Sequence, residues 1–325
     1  MGLSEFALID RFFRDCGARR TDVSLGIGDD AAVLEPPPGK QIVAAIDTLV
    51  EGVHFPLHSP PASVGHRALA VNLSDLAAMG AEPAWALLAL TLREVNESWL
   101  AEFSRGLDTL AREHHVALVG GDTTSGPLTV SIQVLGFVEP SRALKRSGAN
   151  AGDLVFVTGS PGDSAGGLAV ELGSLHAATQ PARTYLRERF LFPTARVALG
   201  RRLLDFASAC IDVSDGLLGD AGKLAHASRC RVELEYSKLP ISAALLDAYG
   251  EQRARELSLS GGEDFELCFT VPPSRIVDME RALPAERWGY SRVGVIKQGT
   301  DAVVVDNGTV MDFSHSGYDH FSTVR

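Results

Sequence analysis

Short acidic motifs, most with glycine or serine close by, recur next to apolar runs in this chain: Gly26-Ile27-Gly28-Asp29-Asp30, Asp47-Thr48, Asn72-Leu73-Ser74-Asp75, Gly120-Gly121-Asp122, Gly159-Ser160-Pro161-Gly162-Asp163, Asp212-Val213-Ser214-Asp215-Gly216 and Gly261-Gly262-Glu263-Asp264. A carboxylate at a strand end either caps the next helix or holds a hard cation. Each one met singly reads as a cap or turn residue. Taken together they favour the cation, because converging acids without metal repel one another strongly in a low-dielectric cleft. The chemistry they suit is that of metal-bound polyphosphate, in which magnesium held by carboxylates neutralises a triphosphate while donor and acceptor are kept in line.

The usual phosphate cradle is missing. No G-x-x-x-x-G-K-[ST] occurs, and Gly159 to Gly167 contains Asp163 but no lysine. That loop reads equally as a tight strand-to-helix turn capped by Asp163 or Ser164. Basic residues near the motifs are few, as expected where metals take most of the phosphate charge. Arg146, in Lys145-Arg146-Ser147-Gly148, either reaches a phosphate as a bidentate fork or is a solvated linker arginine. His54 stands at a strand end, where a histidine is commonly structural, and His114-His115 lacks metal spacing.

These residues need a scaffold, and 325 residues are natural for two α/β domains. In the first, Leu3 to Cys16 has helical spacing and stops at Gly17. Ala31 to Leu34 and Gln41 to Ile46 read as a strand pair joined through Pro36-Pro37-Pro38-Gly39. Ala62 to Met79 and Glu97 to His114 are helical, Trp85 to Leu92 is a strand buried on both faces, and Val116 to Val119 and Leu128 to Val138 are strands around a turn at Gly120 to Pro127. This β-α-β-α-β-β order fits an α+β layer. The domain cut is placed at residues 148/149. Beyond it come strands at Leu154 to Thr158, Ala209 to Val213, Val232 to Tyr236, Glu266 to Val271 and Val293 to Ile296. Helices are read at Ala165 to Leu172, Val197 to Ala207 and Leu217 to Ser228, and a loop from His176 runs into a helical hairpin around Phe192-Pro193. Asp306-Asn307-Gly308 marks a closing type I′ hairpin.

With 41 Asp+Glu against 30 Lys+Arg, a formal net charge of -11 disfavours a nucleic-acid partner. Four scattered cysteines, Cys16, Cys210, Cys230 and Cys268, signal neither zinc nor a disulfide framework. No apolar run has the length of a membrane span, and the N-terminal helix is too charged for a secretory signal, so a cytoplasmic location with no membrane partner is expected.

The ordered series GIGDDAAV, DTLVEGVHF, NLSDLAAMGAEP, VGGDTT, a Lys-Arg-Ser-Gly segment, VTGSPGDSAGGL, DVSDGL, GGEDFEL and a terminal GYDHF resembles bacterial thiamine-monophosphate kinase from about Phe6 to Phe321. GDDAA and DVSDGL alone resemble only the wider superfamily of aminoimidazole ribonucleotide synthetase; VEGVHF and GYDHF narrow the likeness to the kinase. The resemblance implies an α/β (α+β) two-domain, aminoimidazole ribonucleotide synthetase-like architecture. Residues 1–148 would form the metal- and ATP-binding, dimerising domain, and 149–325 would complete the phosphate and substrate site. It further implies direct in-line phosphorylation of thiamine monophosphate by ATP with several Mg2+ ions, in a homodimer. Asp30, Asp47, Asp75, Asp122, Asp212 and Asp215 correspond to metal ligands, of which Asp47, Asp122 and Asp212 carry catalysis; Asp29 remains an alternative to Asp30. Gly121, Asp122, Arg146 and Ser214 correspond to ATP contacts, and His54, Glu263 and Tyr318 to contacts with the thiamine side. An aromatic face and a carboxylate, as Tyr318 and Glu263 offer, suit a cationic thiazolium and an aminopyrimidine.

One departure stands out. Where the family often has hydroxyl residues before the Asp47 equivalent, this chain has Ala45-Ile46, so a side-chain metal contact there is lost and a backbone one survives. Rival readings are another ATP-using member of the superfamily and a non-catalytic nucleotide-binding protein. A selenophosphate synthetase would need a reactive cysteine in a glycine-rich N-terminal segment, a setting Cys16 lacks.

Overall fold

A computed structural model describes residues 3–175 and 177–313. The chain forms two compact units, the first comprising residues up to Leu76 with Ala81–Ala143, the second Ala77–Gly80 with residues from Leu144 onward.

The first unit opens with helix α1 (Glu5–Phe12), whose N-cap Ser4 accepts the Ala7 amide. Two short strands, β1 (Val23–Leu25) and β2 (Val33–Leu34), pair with each other. They are followed by β3 (Gln41–Val50), α2 (Pro61–Ala78), β4 (Glu82–Leu92), α3 (Glu97–Glu113), β5 (Ala117–Ser125) and β6 (Thr129–Val138). The long strands make one sheet in the order β3-β6-β4-β5, antiparallel except for the β4/β5 pair. The hairpin expected between residues 31–34 and 41–46 is not formed. The three prolines between them contribute no N–H to a ladder, and β3 instead meets β6, where all ten of its residues find a partner from Gln41↔Val138 to Val50↔Thr129. Strand β5 also runs on past the expected Val119 through Gly120-Gly121-Asp122 to Ser125. The central strand β4 is buried over most of its length, and its Trp85 packs edge-on against Phe137 at 5.0 Å while its indole N–H reaches Asp22 at 3.0 Å.

In the second unit, β7 (Leu154–Thr158), α4 (Asp163–Glu171), α5 (Gln180–Leu191), α6 (Val197–Leu203), β8 (Ala209–Val213), α7 (Leu217–Ser228), β9 (Arg231–Glu235), α8 (Ala243–Ser260), β10 (Glu266–Val271), α9 (Ile276–Ala282), α10 (Ala285–Trp288), β11 (Tyr290–Lys297), β12 (Ala302–Asp306) and β13 (Thr309–Met311) follow in order. The strands form one sheet, β13-β12-β9-β11-β7-β10-β8, antiparallel save for β12 beside β9. Pro181 falls in the first turn of α5, where no amide is needed, and Thr179 caps it. Helix α8 is absent from the sequence expectations: its middle residue Gly250 has φ 70 and ψ 172, and that break interrupts the period a single amphipathic helix would show. The last hairpin turns at Asn307 and Gly308, both with positive φ as type I′ requires.

Candidate functional site

The acidic residues of the first unit stand on three kinds of support. Asp29 and Asp30 occupy an exposed turn after Gly26–Gly28, in which Asp29 Oδ1 accepts the Asp30 amide at 2.8 Å. Asp47 lies within β3 opposite Ile132, and Asp75 on α2. Asp122 is exposed on β5 opposite Ala89. Gly121, just before it, has φ +152, and a Cβ there would stand 1.8 Å from the Leu88 carbonyl oxygen, so only glycine lets β5 approach β4 closely enough to present Asp122.

The register separates two of these acids. The row Asp47–Ile132–Leu88–Gly121 adjoins the row Thr48–Ser131–Ala89–Asp122, so Asp47 and Asp122 lie three strand spacings apart, roughly 14 Å. Successive residues of a strand face opposite sides. Asp47 therefore shares its face with the buried Ile132 and Leu88, the face on which Leu76 of α2 packs over Gly136. Asp122 shares the open face with Thr48 and Ser131, whose hydroxyls bond at 2.7 Å. Among the described residues, no group of three or more His, Cys, Asp and Glu side chains converges as a metal-binding set. His54 sits in the turn after β3, where its Nδ1 accepts the Val50 amide at 3.0 Å.

In the second unit, Ser214, Asp215 and Glu263 meet at one turn. Asp212, 6% exposed, is the penultimate residue of β8, beside Leu267 of β10, and after Val213 the chain turns through Ser214 and Asp215 into α7. Asp220, one turn into that helix and 1% exposed, accepts both the Ser214 and Asp215 amides at 2.9 Å through Oδ2. Burial raises its pKa against the opposing pull of Lys223. The Lys223 ammonium bonds Asp215 Oδ2 at 2.5 Å and Asp220 Oδ1 at 2.8 Å, and despite its own burial these two partners hold it above the ordinary lysine range. Asp215 is thus paired with the Lys223 ammonium. Glu263 reaches the same turn through its backbone N–H, 2.7 Å from the Ser214 carbonyl oxygen. Arg146 is exposed, but its backbone is fixed: its carbonyl accepts the Ser228 hydroxyl at 2.8 Å, and the neighbouring Lys145 carbonyl accepts the Cys210 amide of β8.

The glycine-rich loop differs from its expectation. Neither Asp163 nor Ser164 caps α4, whose N-cap is Gly162. Asp163 is fully buried, taking the Tyr185 hydroxyl on Oδ2 at 3.0 Å and the Ser242 hydroxyl on Oδ1 at 2.5 Å, and burial raises its pKa. The cap comes from elsewhere: Asp264 accepts the Gly162 amide at 2.7 Å and the Ser164 amide at 3.0 Å. Burial outweighs these two donors and pushes the Asp264 carboxyl up to about 8. Behind the loop, Glu266 is clamped by Arg189 at 2.7 Å and by two bonds from Arg196 at 2.6 and 2.7 Å; despite full burial these guanidiniums hold it below the ordinary carboxylate range. Asp264, Lys223 and this ion cluster were not assigned a role from sequence. A carboxylate adjoining Glu263 and a lysine one turn beyond Asp220 were the only signals. Tyr318 lies outside the described residues.

The fold and these loops define a class. Residues 28–138 match the family model of the AIR synthase related protein, N-terminal domain, and residues 150–307 that of the corresponding C-terminal domain. Thiamine-monophosphate kinase of Salmonella typhimurium is 44% identical over 324 residues, covering 99% of this chain and 100% of that protein. Thiamine-monophosphate kinase from Stenotrophomonas maltophilia, a crystal structure, superposes with a TM-score of 0.84 at 44% identity over 96% of this chain and 99% of that one. The structure of AaThiL complexed with AMPPCP and TMP gives 0.76 at 32% identity, covering 99% of both chains. The chain belongs to the thiamine-monophosphate kinase family.

Proposed function

We propose that this protein transfers the γ-phosphoryl group of ATP to thiamine monophosphate, giving thiamine diphosphate and ADP. A phosphate oxygen of the acceptor attacks Pγ in line while the Pγ–O bond to ADP breaks; such chemistry asks the protein for positioning and charge neutralisation rather than covalent help. The observation that carries the reading is the likeness, over the whole length of both chains, to a structure complexed with AMPPCP and TMP. No described helix is long and apolar enough to cross a membrane. The four cysteines are free and buried, which supports a cytoplasmic setting.

Asp30, Asp47, Asp75 and Asp122 of the first unit and Asp212 and Asp215 of the second would each serve one of several magnesium ions, their hard carboxylate oxygens suiting that ion, with Asp47 and Asp122, on opposite faces of their sheet, serving different ions. When bound, the ion supplies neutralisation of the triphosphate. Between the two acids of the first turn we choose Asp30, because Asp29 already spends an oxygen on the Asp30 amide. Gly121, Ser214 and Arg146 are assigned to ATP, and His54, Glu263 and Tyr318 to thiamine monophosphate. We further infer a homodimer through the first unit: among the described residues β3 pairs with β6 on one side only, leaving a ten-residue edge that carries the exposed Ile42 and Ile46. The net charge of -11 argues against nucleic acid as a further partner.

Chromatographic product analysis tests the reaction. Thiamine diphosphate and ADP should form in equal amounts with magnesium present and cease with chelator. ATP hydrolysis indifferent to the acceptor, or turnover unaffected by chelator, sinks the proposal.

A further inference from the structure

The segment carrying Glu263 is held from two sides. On one, the Glu263 N–H bonds the Ser214 carbonyl at 2.7 Å and the Phe265 N–H bonds the Val213 carbonyl at 2.8 Å. On the other, Asp264, 2% exposed, takes the Gly162 amide on Oδ2 and the Ser164 amide on Oδ1. Its neighbours on both sides, Glu263 with φ 72 and Phe265 with φ 52, are left-handed without being glycine. Such backbone persists only where the surroundings over-determine it. The anchor itself is firm: a Cβ on Gly162 would stand 2.8 Å from the backbone of Leu257 and Ser258, so the receiving loop is pressed against the end of α8. The Ser214–Asp215 turn has its own anchor, the two amides taken by Asp220.

We propose that Asp264 is the positioning residue for Glu263, and that Asp220 does the same for Ser214 and Asp215, so that the acceptor side and the nucleotide side of the second unit are oriented by two separate buried carboxylates. This rests on the kinase reading and on Glu263 serving the acceptor. With both Asp264 oxygens removed, the Gly162 and Ser164 amides lose their partner and the Glu263 segment keeps only its anchor on the Ser214 side, while the Asp220 clamp is untouched.

The test compares wild type, Asp264→Ala, Asp264→Asn and Asp220→Ala by calorimetric titration with thiamine monophosphate and, separately, with a non-hydrolysable ATP analogue and magnesium, alongside thermal melting. Asp264→Ala should raise the Kd for thiamine monophosphate about tenfold or more and that for the nucleotide less than about threefold. Asp264→Asn, which keeps one acceptor oxygen, should fall between it and wild type, and carries the test should the alanine variant not fold. Asp220→Ala should show the reverse preference. Folded Asp264 variants that bind thiamine monophosphate as wild type does, or that weaken both ligands equally, overturn the inference while leaving the kinase reading intact. A wild-type protein that binds no thiamine monophosphate overturns both.

Discussion

Glu263 donates its backbone N–H to the Ser214 carbonyl across 2.7 Å, and this single bond ties the residue proposed for the acceptor to the one proposed for ATP. The two belong to segments far apart in sequence, brought side by side because β8 and β10 pair in register from Ala209↔Thr270 to Val213↔Glu266. The loops leaving these adjacent strand ends have to meet.

Asp122→Asn should cut kcat about a hundredfold or more, the scale of losing one strong electrostatic stabiliser of a transition state. Asp122 is exposed on the open face of its sheet, so the melting temperature should stay unchanged. Asp47→Asn, Asp75→Asn and Asp212→Asn should show comparable kinetic losses. Activity within a few-fold of wild type in correctly folded variants would make these residues turn and strand polar groups only.

Tyr318→Ala and Glu263→Gln should weaken thiamine monophosphate more than ATP. An aromatic face and a carboxylate suit a cationic ring and an amino-bearing pyrimidine, and a desolvated cation–π contact is worth about 2 kcal/mol, more than tenfold in affinity. Separate titrations with each ligand measure this. Equal effects on both would leave the acceptor assignment to family likeness alone.

The Asp264 carboxyl, pushed up to about 8 by burial from an ordinary 3.8, binds its proton more tightly folded than unfolded. Its contribution to stability is therefore full below about pH 4 and is lost as pH rises through 8. Relative to Asp264→Asn, which does not titrate, the wild type should lose melting temperature between pH 6 and pH 9. A difference between the two proteins that stays constant over that range would contradict the shift.

Ile46→Lys, alone or with Ile42→Lys, should convert the proposed dimer to monomer in sedimentation experiments. The two isoleucines are 65% and 51% exposed, so a lysine costs the isolated unit little, whereas a charge on an edge strand opposes pairing with another. Dimers of undiminished stability would place the interface elsewhere.

The sequence by itself determined most of the local order and the chemical vocabulary. Strands such as Leu154–Thr158, Ala209–Val213 and Glu266–Val271 were legible from short apolar runs, and Leu217–Ser228 from its spacing, because these signals depend on burial periodicity within one segment. The acidic motifs were legible because carboxylates beside glycine are unusual as core. Only tertiary structure decided which partner each segment takes. β3 bypasses the nearby residues 33–34 for β6, some ninety positions on, since the equally long strand satisfies every one of its ladder positions. The register that sends Asp47 and Asp122 to opposite faces follows from that pairing, and a shift by one residue would reverse it. The roles of neighbouring acids were likewise invisible in the chain. Asp163 and Asp264 both follow loop glycines within two residues and look alike in sequence, yet one is turned inward to the hydroxyls of Tyr185 and Ser242 and the other caps a helix a hundred residues away. A buried carboxylate takes whichever donors the packed fold places within reach, and those donors are supplied by segments that no local pattern connects.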